Sequence, residues 1–598
     1  MIKNVGYFFV LLCVFFVVGC SGAQSADFEV TLLHVNDTHS HIDSSSIDLQ
    51  LGGAKTRTKI GGYSQMISFI KEKYDSGVNP VLINAGDSIT GTLYYTLFDG
   101  EPGAKLLNLL PWDATILGNH EFDAGDEGLL TFLNFLEVPV ISANVVPQAG
   151  NILEGKWEPY RIIERDGEKI GIIGIDIVGK TQNSSNPSDQ ITFLDEIETA
   201  QKYADLLTEQ GVNKIIVASH YGYSNEIRLA QETSNIDVVV GGDSHTLLGG
   251  DALTSVGLSP EGPYPTVVKS KTGDSVLVVQ AHEYAQIVGV LSLSFDAEGI
   301  ITKYEGTPVV LLHDTFRRKN ADDKRVELEG DDREAVYKDI EANANLTIVQ
   351  PESGSQDVLE IYRQAEEITN EYKDQLKDLQ EDVIGAATEE IPGGSKLRIP
   401  SPENPQGHFT AAVTAQAFLE ELQSMGKGNV DGVIQNAGGV RTPISKGDIT
   451  YSTAYTLLPF ANTLYLIQLT GEQIRNTLED AVEYALSPDG SSGAFPYTAG
   501  IRYSVDITDS KEKGSRISDI EVETDSSWNP IDMDKLYMIG VNSYIAGGKD
   551  GYITLGEVAK EEGRGTDTYL DYANSFVNYV QKYRNIAKPE TTNVTVQF

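Results

Sequence analysis

Cysteine is nearly absent from this chain. The 598 residues hold two, Cys13 and Cys20, both near the N-terminus. A disulfide framework therefore does not hold the fold, and no thiolate cluster is available to bind a metal. Basic residues are also scarce: 45 Lys and Arg stand against 87 Asp and Glu, a formal net charge of −42. That balance argues against binding a nucleic-acid polymer through a basic surface. It does not exclude phosphate compounds, because local metal ions and arginines can invert the local field. Beyond the N-terminus no apolar stretch is long enough to span a bilayer, and no internal repeat relates the two halves. Hydrophobic content of 40% and aromatic content of 8% are ordinary for globular protein. A chain of this length implies two domains.

The one strongly apolar run, "VGYFFVLLCVFFVVGC", follows Lys3 and is too short for a spanning helix, which marks it as an export signal. Its end, Val17-Val18-Gly19-Cys20, resembles the lipobox of bacterial lipoproteins. The resemblance implies cleavage that leaves Cys20 as a lipidated first residue; a plain secretory signal is the alternative. Ser21 in the next position implies outer-membrane sorting if the organism has two membranes. The expectation is an exported lipoprotein whose soluble body is held to a membrane through Cys20, with residues 21–27 as a tether.

From about residue 28 to 312, strands and helices alternate, with helices expected around 93–110 and 194–210. This rhythm implies an α/β domain with a largely parallel or mixed sheet. Residues 314–353 are charged and irregular and read as a surface insertion. Apolar residues at helical spacing in "SQDVLEIYRQAEEITNEYKDQLKDLQED" predict a helix of about 25 residues, as a connector of two halves or a surface helix of one of them. The expected layout is a first domain over 28–353, a linker helix over 354–382 and a second α/β domain of mixed strands over 383–598. In the second half the Gly-rich turns "NAGGVR" and "AGGKDGY" stand out.

Five strand-like runs in the first half each stop on Asp, Asn or His. "FEVTLLHVNDTH" ends on Asp37 and His39, "PVLINAGD" on Asp87, and "ATILGNHEFD" on Asn119, His120 and Asp123; "KIIVASH" ends on His220 and "IDVVVGGDSH" on Asp243 and His245. In an α/β sheet the carboxyl ends of neighbouring strands open on one crevice, so residues over two hundred positions apart can converge. Asp37, His39, Asp87, Asn119, His220, Asp243 and His245 form an N/O donor set suited to Zn, Mn or a similar divalent ion. Seven donors are too many for one tetrahedral site but suit a pair of ions sharing Asp87. Such pairs stabilise both the attacking and the leaving oxygen in phosphoester hydrolysis and generate a metal-bound hydroxide near neutral pH. His120, with Asp123 three residues on, fits an imidazole that stabilises charge on phosphorus or protonates the leaving oxygen. The alternative is that His120 is a further ligand or a structural histidine. His41 reads as structural.

"LLHVNDTHSH", "NAGDSITG", "LGNHEFD" and "ASHYG" resemble, in order, the blocks of the calcineurin-like metallophosphoesterases. Together with "NAGGVRTPISKGDITY", "LLPFANTL" and "NSYIAGGKDGY" they resemble the 5′-nucleotidase family over about residues 28–585. The resemblance implies an α/β sandwich for the first domain and two divalent ions. Asp37, His39, Asp87 and His245 match ligands of one ion; the bridging Asp87 with Asn119, His220 and the position of Asp243 matches those of the other. His120 and Asp123 match the catalytic pair. Phe460 and Tyr544 match two aromatics that sandwich a nucleobase, a grip of about 1–3 kcal/mol per stacked base. Asn436, Asn462 and Asp550 match groups that hold base and ribose, and Arg441 matches a phosphate-binding arginine, whose guanidinium offers a two-pronged donor. Without that context the aromatics would read as core packing.

Three departures accompany the match. Asp243 stands in "GGDSH" where the family usually has His, which implies harder ions such as Mn²⁺ or Mg²⁺ or a weakly held second ion. The block that usually carries phosphate-binding arginines is altered, with Arg398 in "KLRIPSPENPQGHFTAA" as the candidate. Tyr544 stands where many relatives have Phe. The implied activity is hydrolysis of nucleoside 5′-monophosphates, with no protein partner. Nucleotide sugars, NAD, nucleoside di- or triphosphates and 2′,3′-cyclic nucleotides are alternatives on the same site. A binding lipoprotein with a decayed metal site is the alternative of another class.

Overall fold

The period-2 geometry of a strand lets one apolar run build two cores at once. In strand β1 (Phe28–Val35), Val30 and Leu32 enter one core while Leu33 and Val35 enter another. The computed structural model describes residues 27–320, 324–379, 381–425, 430–460, 462–487, 490–508, 514–561 and 563–598. The proposed signal, Cys20 and nearly all of the tether lie outside these residues.

β1 pairs in parallel with β2 (Val81–Asn84), and β2 with β3 (Ala114–Ile116), within an eleven-stranded sheet among the described residues. A second sheet sets β4 (Glu168–Asp176), β5 (Ile215–His220), β6 (Val238–Val240) and β7 (Ser275–Val279) in parallel register. Strands buried on both faces read as unbroken apolar runs, which is why every residue of β2, β3, β5 and β6 is buried. The sheets meet face to face through Ile83, Ile116, Ile172, Ile216, Ala218 and Val240. On the far side of the first sheet lies helix α1 (Tyr63–Ser76); on the far side of the second lie α2 (Glu196–Glu209) and α3 (Tyr223–Glu232). The result is a four-layer α/β/β/α sandwich. Each fully buried Leu, Ile or Val contributes roughly 1.5–3 kcal/mol relative to exposure.

α2 begins where the spacing predicts it, with Asp195 accepting from the Glu198 amide as its N-cap. The helix expected over 93–110 is instead two short ones, Leu93–Phe98 and Glu101–Leu107. Asp99 and Gly100, at φ of 51° and 84°, turn the chain between them. The charged segment after 313 is not an irregular insertion. Arg317–Lys319 and Arg325–Glu327 form a hairpin on the edge of the large sheet, Leu346–Ile348 adds a strand, and the helix Gly330–Glu341 buries Val336 and Ile340. Its charges lie on exposed faces, which masked the sparse buried residues.

Helix α4 (Gln356–Leu379) follows in 24 residues. Its Ile361, Ala365, Tyr372 and Leu376 recur at helical spacing and pack into the core of α1. The Lys105 ammonium donates to the Tyr372 hydroxyl at 2.6 Å. α4 therefore belongs to the first body, and the chain crosses to the second between Leu379 and Val383. There helices α5 (Phe409–Ser424) and α6 (Gly471–Leu486) share one core with a five-stranded sheet. That sheet includes β8 (Gly432–Asn436), β9 (Thr463–Thr470), β10 (Leu536–Asn542) and β11 (Gly565–Asp571).

Candidate active site

All five chemistry-bearing strand ends open on one crevice at the rim of the sandwich. β1 to β3 deliver Asp37, His39, Asp87, Asn119 and His120 from one sheet; β5 and β6 deliver His220, Asp243 and His245 from the other. The loops interlock through their backbones: the Asp37 amide donates to Gly86 O at 3.0 Å and the His39 amide to Asp87 O at 3.0 Å. Small residues let them close. A Cβ on Gly242 would lie 2.7 Å from His220 Nδ1, and one on Gly118 2.3 Å from Asp87 Oδ1.

The donor atoms gather in two groups, Asp37–His39–His245 and Asp37–Asp87–His220, each with its atoms within 4.8 Å of one another. His245 Nε2 is 3.1 Å from His39 Nε2 and 3.1 Å from Asp37 Oδ1. His220 Nε2 is 2.9 Å from Asp87 Oδ2, yet both atoms are buried and neither has a hydrogen-bond partner. Both amide atoms of Asn119 are likewise buried and unpartnered. Buried polar atoms without partners call for an explanation, and an ion is a direct one. The carboxylates, imidazoles and amide present fit a divalent ion of the Zn or Mn kind at each group. Asp37 is common to both groups, and Asp87 Oδ2 also lies 3.7 Å from His39 Nε2, so two carboxylates stand between them.

Asp37, His39, Asp87, Asp243 and His245 all have φ between 45° and 72°. Left-handed backbone is strained for residues with a Cβ, and such strain clusters at functional sites.

Asp243 is in neither group. Its Oδ1 takes a hydrogen bond from Lys180 Nζ at 2.7 Å, and its amide donates to the Asp37 carboxylate at 3.1 and 3.2 Å. His120 Nδ1 pairs with Asp123 Oδ2 at 2.5 Å, and its Nε2 is buried and unpartnered. Burial opposes charge on His120, but Asp123 and then Asp87 outweigh it and hold its pKa above that of a free imidazole.

Several supporting residues lie outside the predicted site. Glu121 accepts from the amides of Gly118, Asp87 and Ser88 at 2.7, 3.0 and 2.8 Å and ties the first sheet's loops together. Glu283 accepts from His245 Nδ1 at 2.5 Å, orienting the ring as a carboxylate behind a metal-binding imidazole does. Glu226 accepts from the Gly242 amide at 3.0 Å and from Gln280 at 2.8 Å. Adjacency to motif residues was the available signal for Glu121 alone. Among the other histidines, His41 stacks on Tyr284 at 3.8 Å and is half-buried, and His34, fully buried, meets the Tyr264 hydroxyl at 2.7 Å.

The second body also reaches into this crevice. The Tyr569 ring lies parallel to His39 at 5.7 Å, edge-on to His120 at 4.6 Å and 5.3 Å from His245. Its hydroxyl donates to Asp243 O at 3.0 Å and accepts from Lys180 Nζ at 3.2 Å.

Arg398, Asn436, Arg441, Phe460, Asn462, Tyr544 and Asp550 line a separate cleft of about 610 Å³ in the second body. Phe460 and Tyr544 are 44% and 43% exposed, which removes core packing as their role. Asp550 accepts from Asn436 Nδ2 and from the Tyr544 hydroxyl, both at 3.1 Å. The Arg441 guanidinium lies 5.5 Å over the Phe460 ring. Arg398 Nε is buried without a partner; burial and then Arg441 lower its pKa. Asn462 lines both this cleft and a small cavity beside His39 and Tyr569.

An α/β/β/α sandwich with paired Asp/His groups at its rim defines a metallophosphoesterase, and the second body adds a cleft shaped for a flat ring and an anion. The "Calcineurin-like phosphoesterase" family profile matches residues 30–247, and the "5'-nucleotidase, C-terminal domain" profile matches residues 383–557. A "Probable 5'-nucleotidase" of Treponema pallidum is 43% identical over 583 residues, 97% of this chain and 96% of that protein. An "NAD 5'-nucleotidase" of Haemophilus influenzae is 41% identical over 576 residues, 95% and 92%. The solved structure of the Haemophilus influenzae NAD nucleotidase covers 96% of this chain and 99% of its own, with 40% identity and a TM-score of 0.86. The chain belongs to the 5′-nucleotidase family. It is a hydrolytic enzyme acting on nucleotides, and its family uses divalent metal ions.

Proposed function

We propose that this protein hydrolyses nucleoside 5′-monophosphates to nucleoside and phosphate, with Asp37, His39, Asp87, Asn119, His220 and His245 as metal ligands. The observation that carries the reading is the set of buried, unpartnered donor atoms on Asn119, His220 and Asp87 beside unpartnered His120 Nε2. Divalent ions bound there supply Lewis-acid polarisation and a nucleophile at neutral pH. His120 Nε2 faces the reacting phosphoryl group and donates a hydrogen bond to an oxygen of it, while Asp123 fixes the ring through Nδ1. Phe460 and Tyr544 stack on the base, Asn436, Asn462 and Asp550 hold base and ribose, and Arg398 and Arg441 meet the phosphate.

Tyr569 lies over the imidazoles that a phosphoryl group must reach, and the base cleft is a separate cavity. Turnover therefore includes a rotation of the second body relative to the first, with the hinge near residues 354–382. A cross-link locking the two bodies abolishes turnover; full activity of the locked form would refute this. The relative named for NAD supports a second reading, a dinucleotide cleaved at its pyrophosphate by the same site. Phosphate release from AMP is compared with nucleotide release from NAD, in protein stripped by chelator and reloaded with Mn²⁺ or Zn²⁺. Loss on stripping and recovery on reloading is expected; release that is indifferent to metal would sink the ligand assignment. We further propose an exported lipoprotein, anchored through Cys20 to the outer membrane, which places the enzyme where it meets external nucleotides.

A further inference from the structure

Lys180 stands in the short helix Val178–Ser184 that follows β4, outside every motif block. Its ammonium is largely buried at the junction of the two bodies, with its side chain 16% exposed. It donates to Asp243 Oδ1 at 2.7 Å and to the Tyr569 hydroxyl at 3.2 Å, and lies 4.4 Å over the Tyr569 ring. That ring fills the space above His39, His120 and His245. A phosphoryl group cannot approach His120 Nε2 while the ring is there. The space Tyr569 vacates is thus the phosphoryl seat, and whatever binds its hydroxyl lines that seat.

We propose that Lys180 is a phosphate-binding residue of this enzyme, its ammonium passing from the Tyr569 hydroxyl to a non-bridging oxygen of the substrate phosphoryl group. This role for Lys180 rests on the reading that a phosphoryl group binds over the paired metal groups. When Tyr569 withdraws, one ammonium proton loses its acceptor in a buried place, where an unmet donor is costly. A phosphoryl oxygen replaces a neutral hydroxyl with an anion, and charge-assisted bonds are roughly twice as strong as neutral ones. Asp243 keeps the ammonium aimed, and the pair brings no net charge to a centre already crowded with carboxylates. A lone lysine at this position would compete with the metal ions, and a lone aspartate would repel the substrate.

The rival role for Lys180 is neutralisation of Asp243 alone, and the test separates the two. Inorganic phosphate binding to metal-loaded protein is measured by calorimetry, and metal per chain by elemental analysis, for wild type, Lys180→Met, Lys180→Arg and the charge-balanced Lys180→Met/Asp243→Asn. The expected result is phosphate affinity weakened about ten- to hundredfold in Lys180→Met, the loss of one charge-assisted bond. Metal content is retained, and Lys180→Arg recovers much of the affinity. The double variant stays weakened, and it carries the test if the single variant does not fold. Unchanged affinity in Lys180→Met with its metals bound would overturn the proposal, as would wild-type affinity in the double variant. Wild-type protein that releases no product from any nucleotide would sink the functional reading instead.

Discussion

Gly118→Ala tests the geometry of the centre with one methyl group. Gly118 follows β3 with φ of −113°, a conformation open to any residue, so the substitution carries no backbone penalty of its own. What it carries is a collision. The new Cβ lies 2.3 Å from Asp87 Oδ1, 2.8 Å from the Asp87 amide and 2.8 Å from His220 Cδ2. Real Cβ contacts essentially never fall under 3.0 Å, so Asp87 must retreat by roughly 0.7 Å or more. Its carboxylate has little room: Oδ1 accepts from the His120 amide at 2.9 Å while the Asp87 amide is held by Glu121. Overpacking of this kind costs about 1–3 kcal/mol of stability. A displacement near 1 Å in a reacting array costs about a hundredfold in rate. The expected variant is folded, melts a few degrees lower, holds less metal at Asp87 and His220, and turns over about a hundredfold more slowly. Steady-state kinetics, calorimetric melting and metal analysis read the three effects. A variant with wild-type kcat and full metal would show that Gly118 is not in contact with a functional Asp87.

The remaining predictions concern separate parts of the molecule. Asp123→Asn leaves His120 its ring contact but removes the charge behind it, so kcat falls about 10²- to 10⁴-fold with metal content unchanged; loss of metal in parallel would contradict a role confined to His120. Phe460→Ala removes one face of the base sandwich and raises KM by roughly 5- to 150-fold, the equivalent of about 1–3 kcal/mol, with a smaller effect on kcat. An unaltered KM would return Phe460 to the surface. Thr470 and Gln473 form a capping box at the start of α6, at 3.1 and 2.9 Å. Thr470→Ala lowers stability of the second body by about 1 kcal/mol, seen as an earlier denaturant midpoint, while activity at saturating substrate stays level.

The sequence displayed the crevice because strand ends are topological markers: five apolar runs with polar exits leave little choice about where those exits meet. A largely parallel sheet flanked by helices was legible for the same reason, since unbroken runs such as β5 admit few placements other than a doubly covered strand, whereas the second sheet of the sandwich was legible only through resemblance. The base cleft was legible only through resemblance. Phe460 and Tyr544, taken alone, look like core residues, and exposure is a property of the folded surface. Lys180, Glu283 and Tyr569 were not legible at all. Each acts through a partner 38 to 389 positions away, and no local pattern encodes such a pairing. Asp243 lies between the two cases. Its place at a strand end was readable, but the direction of its carboxylate depends on a lysine 63 residues earlier.

The left-handed residues of the crevice carry a lesson for anyone who would make this enzyme hardier. Each of Asp37, His39, Asp87, Asp243 and His245 holds a conformation that disfavours it by about 1–2 kcal/mol, so together they withhold several kcal/mol from the sandwich. A screen that rewards heat resistance alone will find relief at these positions, glycine above all, and return sturdy proteins that no longer hold their ions. Selection for endurance and selection for turnover pull in opposite directions at those five positions. The outer layers, where helices cover the sheets far from the rim, are where the two can be improved together.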